Sequence, residues 1–458
     1  MIKHIFSATI LLVTSLVILD QTSCTPTLDP PSPQAGSCNF SATVAVGGDF
    51  LAGYANGALR DEEQSKSIPM LLTRQFQLFN DHNLSCPGSS VLNNDDGLGW
   101  NLKPWESWFT TASHLGYHTD CLGVNSLMPL SDSVRKANAD NIINTTTSIA
   151  PYDLAIPFAT TPQLFDPNLG LYNNSQNTNP FYHRMAGNPG VSTPISDAVS
   201  RGATFFTAWM GMEDIYDYAQ LGGAGVNITP SNVFSMYLDS ALSRLTANGA
   251  KGVIANIPDF RDFPFYTLVP WNGAALTQSK ADSLNQIFWV SGDSEIVFHS
   301  GNNGFIIGDA NNSHGYRQMH NGEYILLDVP LDSMKCDYYG ILVHLMNDRY
   351  VLDSSEVANI DAAISSYNSI IAQKAAQYNL ALVDMNSYFH HVQAGIKWDG
   401  VDFNTQFVTG GFYSLDGYHP NEKGYALIAN EFIKAINAKY GATVPTLDCF
   451  DCNGIIFP

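Results

Sequence analysis

Ala203-Thr-Phe-Phe-Thr-Ala-Trp-Met210 is an almost unbroken apolar run that ends at Gly211-Met-Glu-Asp214. A strand covered on both faces has this pattern, because neither side of its sheet meets water. Helical spacing follows at Phe234, Leu238, Ala241, Leu242 and Leu245, and Gly249 supplies the stop. Gly252-Val-Ile-Ala-Asn-Ile257 is a second buried strand. Strand, helix and strand in this order point to parallel strands joined by crossover helices.

The alternation continues in both directions. Upstream, Thr43-Val-Ala-Val46 is a β-branched strand ending in Gly47-Gly48, and Ser67 with Pro69 opens a helix that reaches Phe79. Downstream, Val357, Ile360, Ile364, Tyr367 and Ile371 mark one helical face capped by Ser354. Leu380-Ala-Leu-Val383 reads as a strand, and a last helix runs from about Asn421 to Tyr440. The expected fold class is α/β, with helices on both faces of a parallel sheet. The stretches 152–193 and 258–336 are rich in Asn, Gly, Pro and aromatics and read as insertions into that core. Long loops over a sheet shape binding sites.

The chain has 458 residues, 42 acidic against 21 basic, and a formal charge of −21. This excess argues against nucleic acid as a partner and against polybasic attachment to anionic lipid. At the N-terminus, Lys3 and His4 precede the apolar run Ile10–Leu19, too short to span a bilayer and laid out like a secretory signal. Thr22-Ser23 stands directly before Cys24, as in bacterial lipoprotein signals where the Cys becomes the acylated first residue. The expected organisation is a signal over 1–23, a lipidated Cys24 with a Pro-rich spacer over 24–40, an α/β domain over 41–442 and a tail over 443–458. The location implied is the cell envelope, outer membrane or periplasm, with membrane contact only through the anchor. Six further cysteines remain, and Cys449-Phe-Asp-Cys452 is expected to form a local disulfide rather than a zinc site.

In an open parallel sheet, reactive groups gather at the carboxyl ends of the strands. Three segments fall there: Gly47-Gly-Asp-Phe-Leu-Ala-Gly-Tyr54, Gly211-Met-Glu-Asp214 and Asp416-Gly-Tyr-His419. Asp416 is three residues before His419, so its carboxylate can orient the imidazole and stabilise the charged form.

These segments resemble the SGNH (GDSL-type) hydrolases, a family of esterases, lipases and acyl hydrolases, and most of all a group of Bacteroidetes lipoproteins. Ala52-Gly-Tyr-Ala-Asn-Gly-Ala-Leu59, Asn179-Pro-Phe-Tyr182, Val253-Ile-Ala-Asn-Ile-Pro-Asp259, Leu382-Val-Asp-Met385 and Gly424-Tyr-Ala-Leu-Ile-Ala-Asn-Glu-Phe-Ile433 carry the likeness. It implies a flavodoxin-like three-layer α/β/α sandwich with Ser-His-Asp catalysis. It also implies an oxyanion hole made by the Ser N–H, a Gly N–H and an Asn side chain. No cofactor is expected.

The sequence departs from that pattern where the chemistry would occur. Anchored on Ala52-Gly53, the nucleophile position holds Asp49 instead of Ser. Glu213 replaces the oxyanion Asn, and Ser126, in Gly123-Val-Asn-Ser126, best matches the oxyanion Gly. Asp416 and His419 keep the expected types. An Asp cannot be deprotonated into an alkoxide, and an ionised Glu213 would oppose a developing oxyanion. Three functions remain open. One is binding of a small-molecule, glycan or lipid ligand with weak or absent catalysis, in a cleft to which Trp100, Trp105, Trp108 and Trp271 could contribute. A second is hydrolysis with Asp49 attacking carbon directly and His419, oriented by Asp416, activating water. The third is a metal site built from Asp49, Glu213, Asp416 and His419.

Overall fold

The computed structural model describes residues 32–79, 99, 108–131, 133–135, 152–171, 178–342 and 344–458. The signal expected over 1–23, Cys24, Cys86, Trp100 and Trp105 lie outside them. Residues 34–458 make one compact unit.

Five strands build the central sheet: β1 (Thr43–Gly47), β2 (Asp153–Ala155), β3 (Phe205–Trp209), β4 (Lys251–Ala255) and β5 (Ala381–Val383). Their order is β5-β4-β3-β1-β2 and every pair is parallel, so this is the flavodoxin-like arrangement. Strands β1, β2 and β3 are buried at every position, which accounts for the continuous apolar run in β3. In the register, Gly47 faces Ala155 on one side and Trp209 on the other. The carboxyl ends of β1, β2 and β3 therefore sit side by side. The chain reverses its direction of growth between β1 and β3, and such a switch point leaves a crevice above the sheet.

The helices that cover the sheet and its upper edge include, in chain order, α1 (Asp49–Ala52), α2 (Ile68–Phe76), α3 (Met212–Gln220), α4 (Ser231–Thr246), α5 (Ser354–Gln377), α6 (Met385–Ala394) and α7 (Glu422–Tyr440). Helices α4 and α5 pack together, with Phe234 stacked on Tyr367 at 3.8 Å. Helix α2 packs with α7; Phe76 stacks on Phe40, which meets Phe205 of β3 edge-on. Fully buried aromatic side chains of this kind each contribute roughly 1.5–3 kcal/mol of transfer free energy. The cap of α5 is Asp353, one residue before the Ser354 expected from sequence. Its carboxylate accepts the N–H groups of Ser355 and Glu356, and the Glu356 side chain accepts the Asp353 N–H in return.

The two apparent insertions differ. The stretch 152–193 begins with β2, the edge strand of the sheet, and continues into a helix over Pro180–Met185. Three residues led by a buried Asp carry too little β pattern to be read as a strand. The stretch 258–336 belongs to a lobe with its own apolar cluster, including Leu276, Phe288, Phe298, Ile306 and Met346. A two-stranded pair, Tyr324–Ile325 with Val351–Leu352, ties this lobe to the start of α5. Trp271 packs half-buried against the lobe's cluster and does not line the cleft described below. Trp108 begins a short strand, Trp108–Thr110.

Candidate active site

Asp49 is the first residue of α1, directly above β1, and it is 3% exposed. Its Oδ1 accepts the Phe50 N–H at 2.8 Å, and its Oδ2 lies 3.0 Å from His419 Nε2. That second contact is an ion pair without the alignment of a hydrogen bond, since Nε2 has no hydrogen-bonding partner. On the other side of the ring, His419 Nδ1 is 2.9 Å from Asp416 Oδ2. Asp416 also accepts the N–H groups of Gly57 (2.8 Å), Tyr418 (2.9 Å) and His419 (2.8 Å). Tyr54, Tyr418 and Phe50 pack around the imidazole with ring centroids 4.8, 4.8 and 5.2 Å away. Asn56 holds the same loop through its N–H to Ser414 Oγ and its Oδ1 to the Leu415 N–H.

Opposing influences set the charge of the ring. Burial works against the imidazolium, but the Asp416 and Asp49 carboxylates outweigh it and push the His419 pKa up to about 9. Burial likewise works to raise Asp416, yet the His419 charge and the surrounding N–H groups hold it below the usual carboxylate range. The flanking carboxyl groups thus favour the charged form of the ring.

Glu213 crosses from α3 to the same point. Its Oε1 accepts the Asp49 backbone N–H at 2.9 Å, a contact between residues 164 apart in sequence. The carboxyl group fills the space beside Gly48 so closely that a Cβ there would lie 1.3 Å from Oε1. Gly48 is thus required by the position of Glu213. Gly211, with φ +102°, makes the turn from β3 into α3 that brings the carboxyl there. Burial, reinforced by the Asp49 charge, raises Glu213 well above the carboxylate range. The shift favours the protonated carboxyl, which works against the charge repulsion expected from an ionised side chain. Asp217, one turn further along α3, is raised for the same reasons, by burial and then by Asp49 and Asp214. Asp214 takes a structural role, accepting the Thr161 N–H and hydroxyl at 2.8 and 2.6 Å.

Ser126 is not brought to this site. It lies exposed on a hairpin strand, Asn125–Leu130, opposite His118. The segment that the sheet places beside Gly47 is the end of β2, where the Ala155 N–H donates to Asp153 Oδ1 (3.1 Å) and the Ile156 N–H to the Gly47 carbonyl (2.7 Å). Sequence pairing by motif alone chose Ser126 because β2 is too short to be recognised. Nor do Asp49, Glu213, Asp416 and His419 converge as metal ligands. Among the described residues, the donor atoms that gather within 4.8 Å belong to Asp399, Asp448 and Cys449. The Cys449 thiol thus faces carboxylates, and it is not bonded to Cys452; both remain free, as does Cys38. The disulfide in the structure joins Cys121 to Cys336.

Above the site opens a cleft of about 780 Å³. His419 and Asp416 line it together with Tyr54, Phe158, Phe265 and Tyr418, whereas Asp49 and Glu213 do not reach it. Tyr54 and Tyr418 fall inside two of the three motif segments, whereas nothing in local spacing distinguishes Phe158 and Phe265 from core residues.

The family model for GDSL-like lipases and acylhydrolases matches residues 168–432, more than half of the chain. The chain belongs to that family. The matched region takes in Glu213, Asp416 and His419 and begins after Asp49. Solved structures similar to this GDSL-family chain include a GDSL-like lipase from Parabacteroides merdae (10% identity, 88% of this chain and 99% of that one, TM-score 0.34). An acetyl-xylooligosaccharide esterase from Geobacillus (9%, 88% and 96%, TM-score 0.35) and a phospholipase A1 from Streptomyces albidoflavus (13%, 88% and 100%, TM-score 0.31) are others. Among curated proteins no sequence matches this chain. In this GDSL-family member, the residues that follow β1 and β3 include the buried carboxyl groups of Asp49 and Glu213, and the Asp49 N–H is engaged by Glu213.

Proposed function

We propose that this GDSL-family protein binds a small-molecule, glycan or lipid ligand in the cleft above His419 and turns over esters weakly or not at all. The observation that carries this reading is the Glu213 carboxyl on the Asp49 N–H. A carbonyl oxygen developing negative charge would need that donor, and one missing oxyanion donor alone raises a barrier by about 2.7–4 kcal/mol. The charged His419 adds to the case, because an imidazolium cannot accept a proton as general base. A cleft of about 780 Å³ with mostly apolar walls is of a size that suits a drug-sized ligand. Export and anchoring through Cys24 are part of the same proposal, supported by the Ile10–Leu19 run and the small residues before the Cys.

The test is hydrolysis of short activated esters by the wild type beside Asp49→Ala, with both expected at background. Turnover that Asp49→Ala abolishes, together with a trapped adduct on Asp49, would replace this reading with the carboxylate-nucleophile one. For the anchor, Cys24→Ala should move the protein from the detergent to the aqueous phase. A wild type that is already aqueous would overturn that part.

A further inference from the structure

One wall of the cleft is a hairpin that buries few side chains among the described residues. Its strands, His114–Thr119 and Asn125–Leu130, bury Leu115, while Tyr117, Leu122 and Val124 stand exposed toward the turn. An isolated two-stranded hairpin is marginally stable. Yet Leu127, Met128 and Pro129 of this hairpin line the cleft, facing a ligand space that Leu331 and His419 also line. Leu331 opens a short helix, Leu331–Cys336, in the lobe formed by the second insertion.

Three ties join the hairpin to that helix. His118 Nε2 lies 3.0 Å from Asp332 Oδ2, and Lys335 Nζ lies 3.3 Å from Asp120 Oδ2. Cys121, at the hairpin turn, is bonded to Cys336 at the end of the helix, with Cα atoms 6.4 Å apart. The exposed His118–Asp332 pair holds little on its own, and the Lys335–Asp120 pair has one exposed partner and one buried. The covalent tie therefore governs whether this wall stays closed on the lobe. Cys121 is exposed, so a dissolved reductant can reach it.

We propose that the Cys121–Cys336 bridge is a strap that sets the width of the cleft above His419, and so the size of ligand it admits. This rests on the cleft being the ligand site. Reduction by a dithiol breaks the S–S bond, leaves thiols on Cys121 and Cys336, and closes the reductant into its own cyclic disulfide; two electrons and two protons pass to the protein. The freed hairpin then swings from the lobe while the sheet and the Asp49–His419–Asp416 array keep their contacts.

The experiment follows amide exchange and dye binding on the full chain, before and after dithiothreitol, and on Cys121→Ser/Cys336→Ser. Exchange over 114–130 should quicken by about tenfold or more, with β1, β3 and β4 unchanged. Binding of bis-anilinonaphthalene sulfonate should strengthen on the order of fivefold over that of the smaller monomeric dye, because a wider cleft favours the larger probe. Unchanged exchange in the hairpin overturns the strap, and so does unfolding of the whole sheet on reduction. Faster exchange with an unchanged dye ratio overturns its control of cleft width. Faster exchange with neither dye bound in either state leaves a hairpin strap and overturns the ligand-site reading instead.

Discussion

The site has two halves built around the same functional group, a carboxyl, shifted in opposite directions. Asp416 sits beside His419 and receives three backbone N–H groups, and it is held below the usual carboxylate range. Glu213 is more deeply enclosed, its charged neighbour is the Asp49 carboxylate, and it is raised well above that range. Burial penalises both anions. A neighbouring cation offsets that penalty on one side, and a neighbouring anion adds to it on the other. The His419 half thus holds a pair in which each charge favours the other, while the Glu213 half holds a carboxyl, shifted toward its protonated form, on the Asp49 N–H.

The most demanding way to break this comparison is to rebuild the Glu213 half. Asp49→Ser supplies a hydroxyl to His419 but leaves Glu213 on the residue 49 N–H, so little esterase activity should appear. Adding Glu213→Asn removes that carboxyl and restores an N–H donor, and turnover should rise by about 100-fold or more over the single variant. Equal rates for single and double variants would mean that Glu213 does not block the donor.

Stability separates the halves next. His419→Ala leaves Asp49 and Asp416 buried without their cation and should cost about 3–5 kcal/mol in urea unfolding. Glu213→Gln keeps a carbonyl oxygen for the Asp49 N–H and needs no proton, so it should cost less than about 1 kcal/mol. Comparable losses would erase the distinction between the two halves.

The pH profile sharpens it. His419, raised to about 9, contributes stability that is complete below its unfolded value near 6.5 and is lost as pH climbs through 9. Glu213 keeps its proton in the folded state after the unfolded chain has released it, so its contribution also declines as pH rises. Asp416 has the reverse sign, its contribution being lost as pH falls through its lowered folded value. Wild type should therefore weaken by a few kcal/mol between about pH 6 and pH 10, and Glu213→Gln should flatten the early part of that decline. A variant as steep as wild type throughout would remove Glu213 from the account.

The smallest effect expected concerns the thiols. After unfolding without reductant, Cys38, Cys449 and Cys452 should alkylate, while the peptides of Cys121 and Cys336 stay linked. A linked Cys449–Cys452 peptide would reinstate the local disulfide that the C-x-x-C spacing suggests.

Periodicity and short motifs carry β1, β3, β4 and β5 with helices α2, α4, α5 and α7, because apolar spacing along one element is a local property; the short α3 and α6 are not legible in this way. The Asp416–His419 pair was equally legible, three residues apart in a single loop. Strand β2 escaped, being three residues long with a buried Asp at its head, and Ser126 was mistaken for a site residue in consequence. Only the assembled sheet could place the ends of β1 and β3 together and so bring Glu213 onto the Asp49 N–H. The types of these residues were written in the sequence, but their protonation was not. Desolvation and like-charge proximity depend on which distant groups share a dry space, and folding alone supplies that.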